Sequence, residues 1–163
     1  IQDAMGWRDY HLHVFRVRNP ATGRPDQIGI PSDDEIEDEE SPQPGWEVPM
    51  AEYFRQPGDR AEYDYDFGDG WEHEVVLEEI AVRIPRAKYP ICLDGAGACP
   101  PEDCGGVSGY EELLRVLRDP THEEHESSLQ WAGGHHDPAA FDPKRIRFES
   151  PKKRWWIAFA GDD

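Results

Sequence analysis

Three cysteines, Cys92, Cys99 and Cys104, stand in the spacing C-x6-C-x4-C within a stretch rich in Gly and Pro. Zinc takes four thiolate or imidazole ligands in a closed tetrahedron, usually with closer cysteine pairs than these. A histidine has to complete the set. His73 is the first choice, with His122 and His125 as others. If a metal is held, the expected site is a structural zinc staple at Cys92, Cys99, Cys104 and His73. Against it stands the plainer reading of three reduced thiols in a packed loop. His122 and His125 share a helix face three residues apart, with His135 and His136 following, and paired imidazoles bind metals. Glu123, Glu124 and Glu126 around them favour a solvated surface instead.

A second chemical cluster surrounds Gly68-Asp69-Gly70. Its carboxylates could hold a divalent cation through oxygen. Asp66, Asp69, Glu72 and His73 are the candidate acid and base groups. Asp64-x-Asp66-x-x-Asp69-Gly70 does not have calcium-loop spacing, and neither a nucleophile elbow nor a glycine-rich phosphate loop accompanies it. A structural hairpin end carrying surface acids is the plainer reading.

The element that positions these groups is a β-hairpin over residues 62–82. Tyr63, Tyr65 and Phe67 alternate with Asp64 and Asp66, and Trp71, His73, Val75 and Leu77 resume the alternation. A three-residue loop with Gly70 in the left-handed position sets Phe67 opposite Trp71, Tyr65 opposite His73 and Tyr63 opposite Val75. The other face then sets Asp66 opposite Glu72 and Asp64 opposite Glu74. Like charges so placed destabilise a sheet, so a cation, a basic segment or solvent has to relieve them.

Around the hairpin, Ile1 to Trp7 reads as the end of a helix with Gly6 as its C-cap. Residues 9–18 alternate with apolar residues in both sets, among them Tyr10, Leu12, Val14, Phe15 and Val17, which predicts a central strand. Asn19 to Asp26 is a turn, and Ile28 to Ile30 a short strand. Residues 32–45 form an acidic, mobile loop, with seven acids between Ser32 and Glu40. Residues 48–56 predict a short helix from Pro49 with Met50, Tyr53 and Phe54 inward. Capping boxes at Ser108-x-x-Glu111 and Thr121-x-x-Glu124 predict helices over 108–118 and 121–132. The first buries Tyr110, Leu113, Leu114 and Leu117. Asp137-Pro138 caps a last helical turn with Phe141 inward. Residues 144–163 form a basic and aromatic tail. Its Lys152, Lys153 or Arg154 is expected over the hairpin acids, with Trp155, Trp156 and Phe159 buried on the sheet.

Together these predict one α+β domain over 1–163, an antiparallel sheet with a central hairpin, packed against a helical pair. The net charge is −18 across 163 residues, and the sequence pI is about 4.6. Such charge argues against direct nucleic-acid binding and against anionic membrane, and favours a basic protein partner. Six each of Trp, Tyr and Phe separate the chain from acidic disordered sequences. No run approaches the roughly 20 apolar residues of a membrane span. Three cysteines make no disulfide framework, which points to a reducing cytoplasmic setting.

Several of these residues fall into motifs. They are Gly6-Trp7 with His11-Leu12-His13-x-Phe15, and Tyr65-Asp66-Phe67-Gly68-Asp69-x-Trp71-x-His73. Further on come Cys92-Leu93-Asp94-Gly95, Ala98-Cys99-Pro100-Pro101-Glu102-Asp103-Cys104-Gly105-Gly106, and Gly109-Tyr110. Residues 1 to about 143 thereby resemble the plasmid pRiA4b ORF-3-like family. The resemblance implies an α+β domain found on plasmids, on chromosomes and near mobile elements, and no catalytic residues. It also implies that strands and a helix precede Gly6-Trp7. The expected function is a non-enzymatic interaction module. The alternative is a metal-dependent hydrolase or nuclease-like enzyme using the hairpin acids and the Cys/His residues.

Overall fold

Residues whose two strand faces differ sharply in polarity assemble a five-stranded sheet within His11–Pro85, one of two compact units; Ile1–Tyr10 and Arg86–Asp163 form the other. A computed structural model describes residues 1–31, 41–150 and Lys153. Its strands are β1 (His13–Arg18), β2 (Pro25–Gly29), β3 (Gln43–Pro44), β4 (Arg60–Tyr65) and β5 (Trp71–Val76), in the spatial order β3-β2-β1-β4-β5. All neighbours are antiparallel except the short parallel pair β2 and β3. The central strand expected at residues 9–18 is therefore real but starts at His13. Residues 43–44, expected within the acidic loop, instead pair with Ile28 and Gly29.

Val17, Ile28 and Ala61 form the core of this unit, with Phe15, Val48, Tyr53 and Phe54 packed against them. The register places them together, because Phe15 faces both Ile28 and Tyr63, and Val17 faces Ala61. The expected helix at 48–56 is a single 3-10 turn, Met50–Glu52. Tyr53 and Phe54 do turn inward, but Met50 remains 71% exposed. One short turn cannot carry residues 50, 53 and 54 to a common face as an α-helix would.

The hairpin is shifted by two residues from its expected pairing. Tyr65 faces Trp71, Tyr63 faces His73 and Ala61 faces Val75. The connection is the five residues 66–70. Asp66 leaves the ladder with φ 53°, and its Oδ1 accepts from the amides of Gly68 (3.0 Å) and Asp69 (3.2 Å). This Asx-type turn ends the strand before Phe67, which is 59% exposed instead of inward. β5 also stops at Val76, short of residue 82. The hairpin lies at one edge of the sheet, with β1 at the centre.

The other unit begins with α1 (Gln2–Met5), ended as expected by Gly6 at φ 87°. Its main elements are α2 (Gly106–Arg118) and α3 (His125–Trp131). Leu113 and Val116 are buried on α2, while Tyr110 and Leu117 are half-buried. Neither capping box forms. Ser108 lies inside the first turn of α2, after the N-cap Gly105. The amide and hydroxyl of Thr121 donate to Asp119 Oδ1, so residues 119–124 make a turn and α3 starts four residues late. His125 Nδ1 donates to the Val116 carbonyl at 3.1 Å and ties the two helices together. Asp137 accepts from Ala139 in a turn, not a helix, and Phe141 is half-buried against Gly95.

The class is thus α+β, a mostly antiparallel five-stranded sheet with a helical pair. Among the described residues no helix is long and apolar enough to cross a membrane. The acidic run 32–40 and Lys152, Arg154, Trp155, Trp156 and Phe159 lie outside the described residues, and with them the expected docking of the tail. Lys153 is described, and its Nζ is 3.7 Å from Glu149 Oε1.

Candidate functional site

Side chains alternate across a strand, so the β-ladder sorts them strictly. One face of the sheet carries His13, Phe15, Val17, Ile28, Tyr63, Tyr65, Trp71 and His73. The opposite face carries Arg16, Arg18, Arg60, Glu62, Asp64, Glu72 and Glu74. Asp64 faces Glu72 and Glu62 faces Glu74, so the like-charge pairs exist, one step along from the expected ones. Two arginines of the same face relieve them. Arg16 on β1 pairs with Asp64, and Arg60 on β4 pairs with Glu74 at 2.7 Å. Glu62 and Glu72 are exposed and make no ion pair among the described residues.

The four candidate acid and base residues do not converge. Asp66 is buried, its carboxylate bound to its own loop and 3.6 Å from His11 Nε2. Glu72 and His73 are consecutive in β5 and point to opposite faces. His73 Nδ1–H donates to the Tyr63 carbonyl at 3.0 Å, and its ring lies 5.6 Å from that of Tyr63. Asp69 is half-buried in the loop.

The cysteines all lie in the unit that holds the helices. Cys92 and Cys99 line one cavity of about 900 Å3, whose wall includes Met5, Phe141 and Ile146. Cys99 also neighbours Cys104. Burial, then the nearby Cys104 and Glu102, pushes the Cys99 thiol up to about 12, so it is a neutral thiol here. Cys104 Sγ points to the Gly106 carbonyl at 3.9 Å, and Cys92 Sγ to that of Asp94 at 3.5 Å. The three sulfurs do not lie within 4.8 Å of one another as a set. His73, the expected fourth ligand, belongs to the other compact unit.

Sequence reasoning placed Tyr110 in a buried stripe and missed its polar role. Its hydroxyl shares a hydrogen bond of 2.9 Å with His136 Nε2. Burial and then the two thiols raise its pKa. Tyr110 thus stands near the Cys99 and Cys104 thiols while its hydroxyl is bound to His136. Nothing local in the sequence announced it, because Tyr110 and His136 are 26 residues apart.

The sequence profile described as plasmid pRiA4b ORF-3-like protein matches residues 1–145. The chain belongs to this family. It is similar to the uncharacterized protein y4hQ of Sinorhizobium fredii (strain NBRC 101917 / NGR234), 37% identical over 134 residues. That alignment takes in 82% of this chain, and the chain spans only 64% of the length of that relative. It is also similar to the crystal structure of a protein of unknown function, MM3350 from Methanosarcina mazei Go1. There the TM-score is 0.77 and the identity 44%, covering 90% of this chain and 79% of the other.

The segments that carry the resemblance to the pRiA4b ORF-3-like family are the ones with special backbone geometry. Tyr65 to Asp69 make the Asx-closed hairpin loop. Residues 98–106 make the cysteine loop, with Asp103, Gly105 and Gly106 all at positive φ. Trp7 is buried, and its indole N–H donates to the Pro100 carbonyl at 2.8 Å, which joins the first motif to the cysteine loop.

Proposed function

We propose that this pRiA4b ORF-3-like domain is an interaction module whose acidic sheet face receives a basic protein partner. One observation carries the reading: Glu62 and Glu72 stand exposed, in no ion pair among the described residues, on a face where Asp64 and Glu74 already occupy the nearby arginines. Clustered carboxylates of this kind speed encounter with a cationic surface and select against anionic ones. The net charge of −18, seven of it from residues 32–40, acts in the same direction. A plasmid or mobile-element setting is part of the proposal, on the strength of the family name alone. So is a reducing cytoplasm, which suits three free thiols. The separation of Glu72 from His73 across the sheet weighs against an acid–base hydrolase at the hairpin.

The test is titration with an oligolysine peptide, comparing the natural chain with a Glu62→Lys/Glu72→Lys variant. Binding is expected at about 50 mM salt, weakening strongly by about 300 mM as screening sets in. The double variant should bind roughly tenfold more weakly while melting at the natural temperature, since exposed charges contribute little to stability. Equal affinity of the two proteins would remove the proposal.

A second reading, zinc held by Cys92, Cys99 and Cys104, is favoured by Cys92 and Cys99 lining one cavity with Cys104 beside Cys99. It requires the loop to draw the sulfurs together and the buried Cys99 thiol to ionise on binding. Elemental analysis decides it. Zinc near one per chain, lost in Cys99→Ser, supports the site; metal-free protein removes it.

A further inference from the structure

At the end of the sheet away from the hairpin loop the charge reverses. β1 and β4 pair Val17 with Ala61, so Arg18 and Arg60 follow as neighbours on adjacent strands. Arg55 arrives from the segment after the 3-10 turn. The three arginines line one cavity of about 530 Å3, together with Tyr53 and the glycines of two turns, Gly23 and Gly58. The carboxylate lining it is Asp59, which accepts from the main-chain amides of Arg55 (2.7 Å) and Gln56 (2.9 Å). Three arginines thus stand against one carboxylate in a chain whose net charge is −18.

These arginines are poorly compensated. Arg60 has Glu74. Arg18 Nε donates only to the Gly23 carbonyl (3.3 Å), and Arg55 Nε only to the Glu52 carbonyl (2.9 Å). Neither is in an ion pair among the described residues. Like charges on adjacent strands repel, and a sheet that retains them at a cavity is arranged for a counter-charge. The amides of Arg55 and Gln56 are already taken by Asp59, and that of Gly58 by the Leu77 carbonyl. Recognition therefore falls to side chains. Guanidinium forks match a tetrahedral oxyanion with paired N–H···O bonds.

We infer that this cavity is a binding site for a phosphate monoester, a small dianion held by Arg18 and Arg55 with Arg60 at its edge. Arg18 has no ion pair among the described residues, and Arg55 has only the charge of Asp59 near it, so a dianion would still meet an excess of positive charge. The half-buried Tyr53 and the buried Val17 supply an apolar wall for the organic part of the ligand. The volume is within the range of small-molecule pockets, about 300–1,000 Å3. Arg18 and Arg60 share the sheet face of Glu62 and Glu72, but neither glutamate lines the cavity.

The experiment is calorimetric titration of the full chain with inorganic phosphate and with phosphoserine, repeated for Arg18→Gln, Arg55→Gln and Arg118→Gln. Arg118 lies at the end of α2 and removes the same charge elsewhere. Phosphate and phosphoserine should bind with a dissociation constant of about 1 mM or tighter. Arg18→Gln and Arg55→Gln should each weaken binding at least about tenfold, as loss of a charge-assisted pair does. Arg118→Gln should not, and all variants should melt as the natural protein does. Absence of binding, equal weakening in all three variants, or acetate binding as tightly as phosphate would each overturn the assignment.

Discussion

Asp66 shows how one residue sets the hairpin. It holds φ 53°, which Asp and Asn tolerate better than other side chains, and it closes the loop onto the amides of Gly68 and Asp69. Asp66→Ala removes the one oxygen that accepts both bonds and leaves a strained backbone, so it should cost about 2–3 kcal/mol in urea unfolding. Asp66→Asn keeps an acceptor and should cost less than about 1 kcal/mol. Equal losses would show that the loop does not depend on the side-chain oxygen. Asp59 makes a similar local clasp. The amides of Arg55 and Gln56 hold its pKa below the ordinary 3.8. A carboxylate depressed in the folded state stabilises the fold above its unfolded pKa, and that contribution disappears as pH falls through the folded value. Asp59→Asn should therefore lower the melting temperature at neutral pH. The gap to the natural protein should close as pH falls below about 3.8. A gap that persists at acid pH would mean that Asp59 acts through packing, not charge.

At the scale of elements, α2 contains an informative glycine. A Cβ built at Gly109 would lie 1.9 Å from the Cys104 carbonyl oxygen. Helix propensity alone favours Gly109→Ala by about 1 kcal/mol, whereas the clash should reverse the sign and destabilise by about 1–3 kcal/mol. A melting temperature above that of the natural chain would show that the cysteine loop can move aside. The same contrast between local pattern and tertiary contact explains what the sequence disclosed. β1 was legible because both its residue sets include apolar members, the mark of a central strand. The end of α1 was legible in Gly6. The hairpin was legible as an element but not in register, since alternation continued through Phe67 and only the Asp66 turn chemistry stops it earlier. The two capping boxes matched a pattern, yet Asp119 took Thr121 into a turn. Of the candidate sites, the acidic face followed from strand periodicity. The arginine cavity did not, because residues 18, 55 and 60 meet only through the pairing of β1 with β4. The link from Tyr110 to His136 was hidden for the same reason.

At the scale of the molecule, the sheet unit separates its charges. Among the described residues, Glu62 on β4 and Glu72 on β5 make no ion pair, while Arg18 and Arg55, also in no ion pair, line a cavity with Arg60 at the end away from the hairpin loop. The core beneath is uncharged, built from Val17, Ile28 and Ala61 with aromatic neighbours. Under the proposed function, a cationic surface would meet the carboxylate end of this face. Salt should weaken such an encounter without unfolding the protein, because exposed charges contribute roughly 0–1 kcal/mol each to stability. The most direct measurement is a nuclear magnetic resonance titration of the isotope-labelled chain with oligolysine at low salt, following every backbone amide. The acidic-face account predicts shifts concentrated on β4 and β5 around Glu62, Asp64, Glu72 and Glu74, reversed by added salt. Shifts confined to residues 32–40, or none at all, would contradict it.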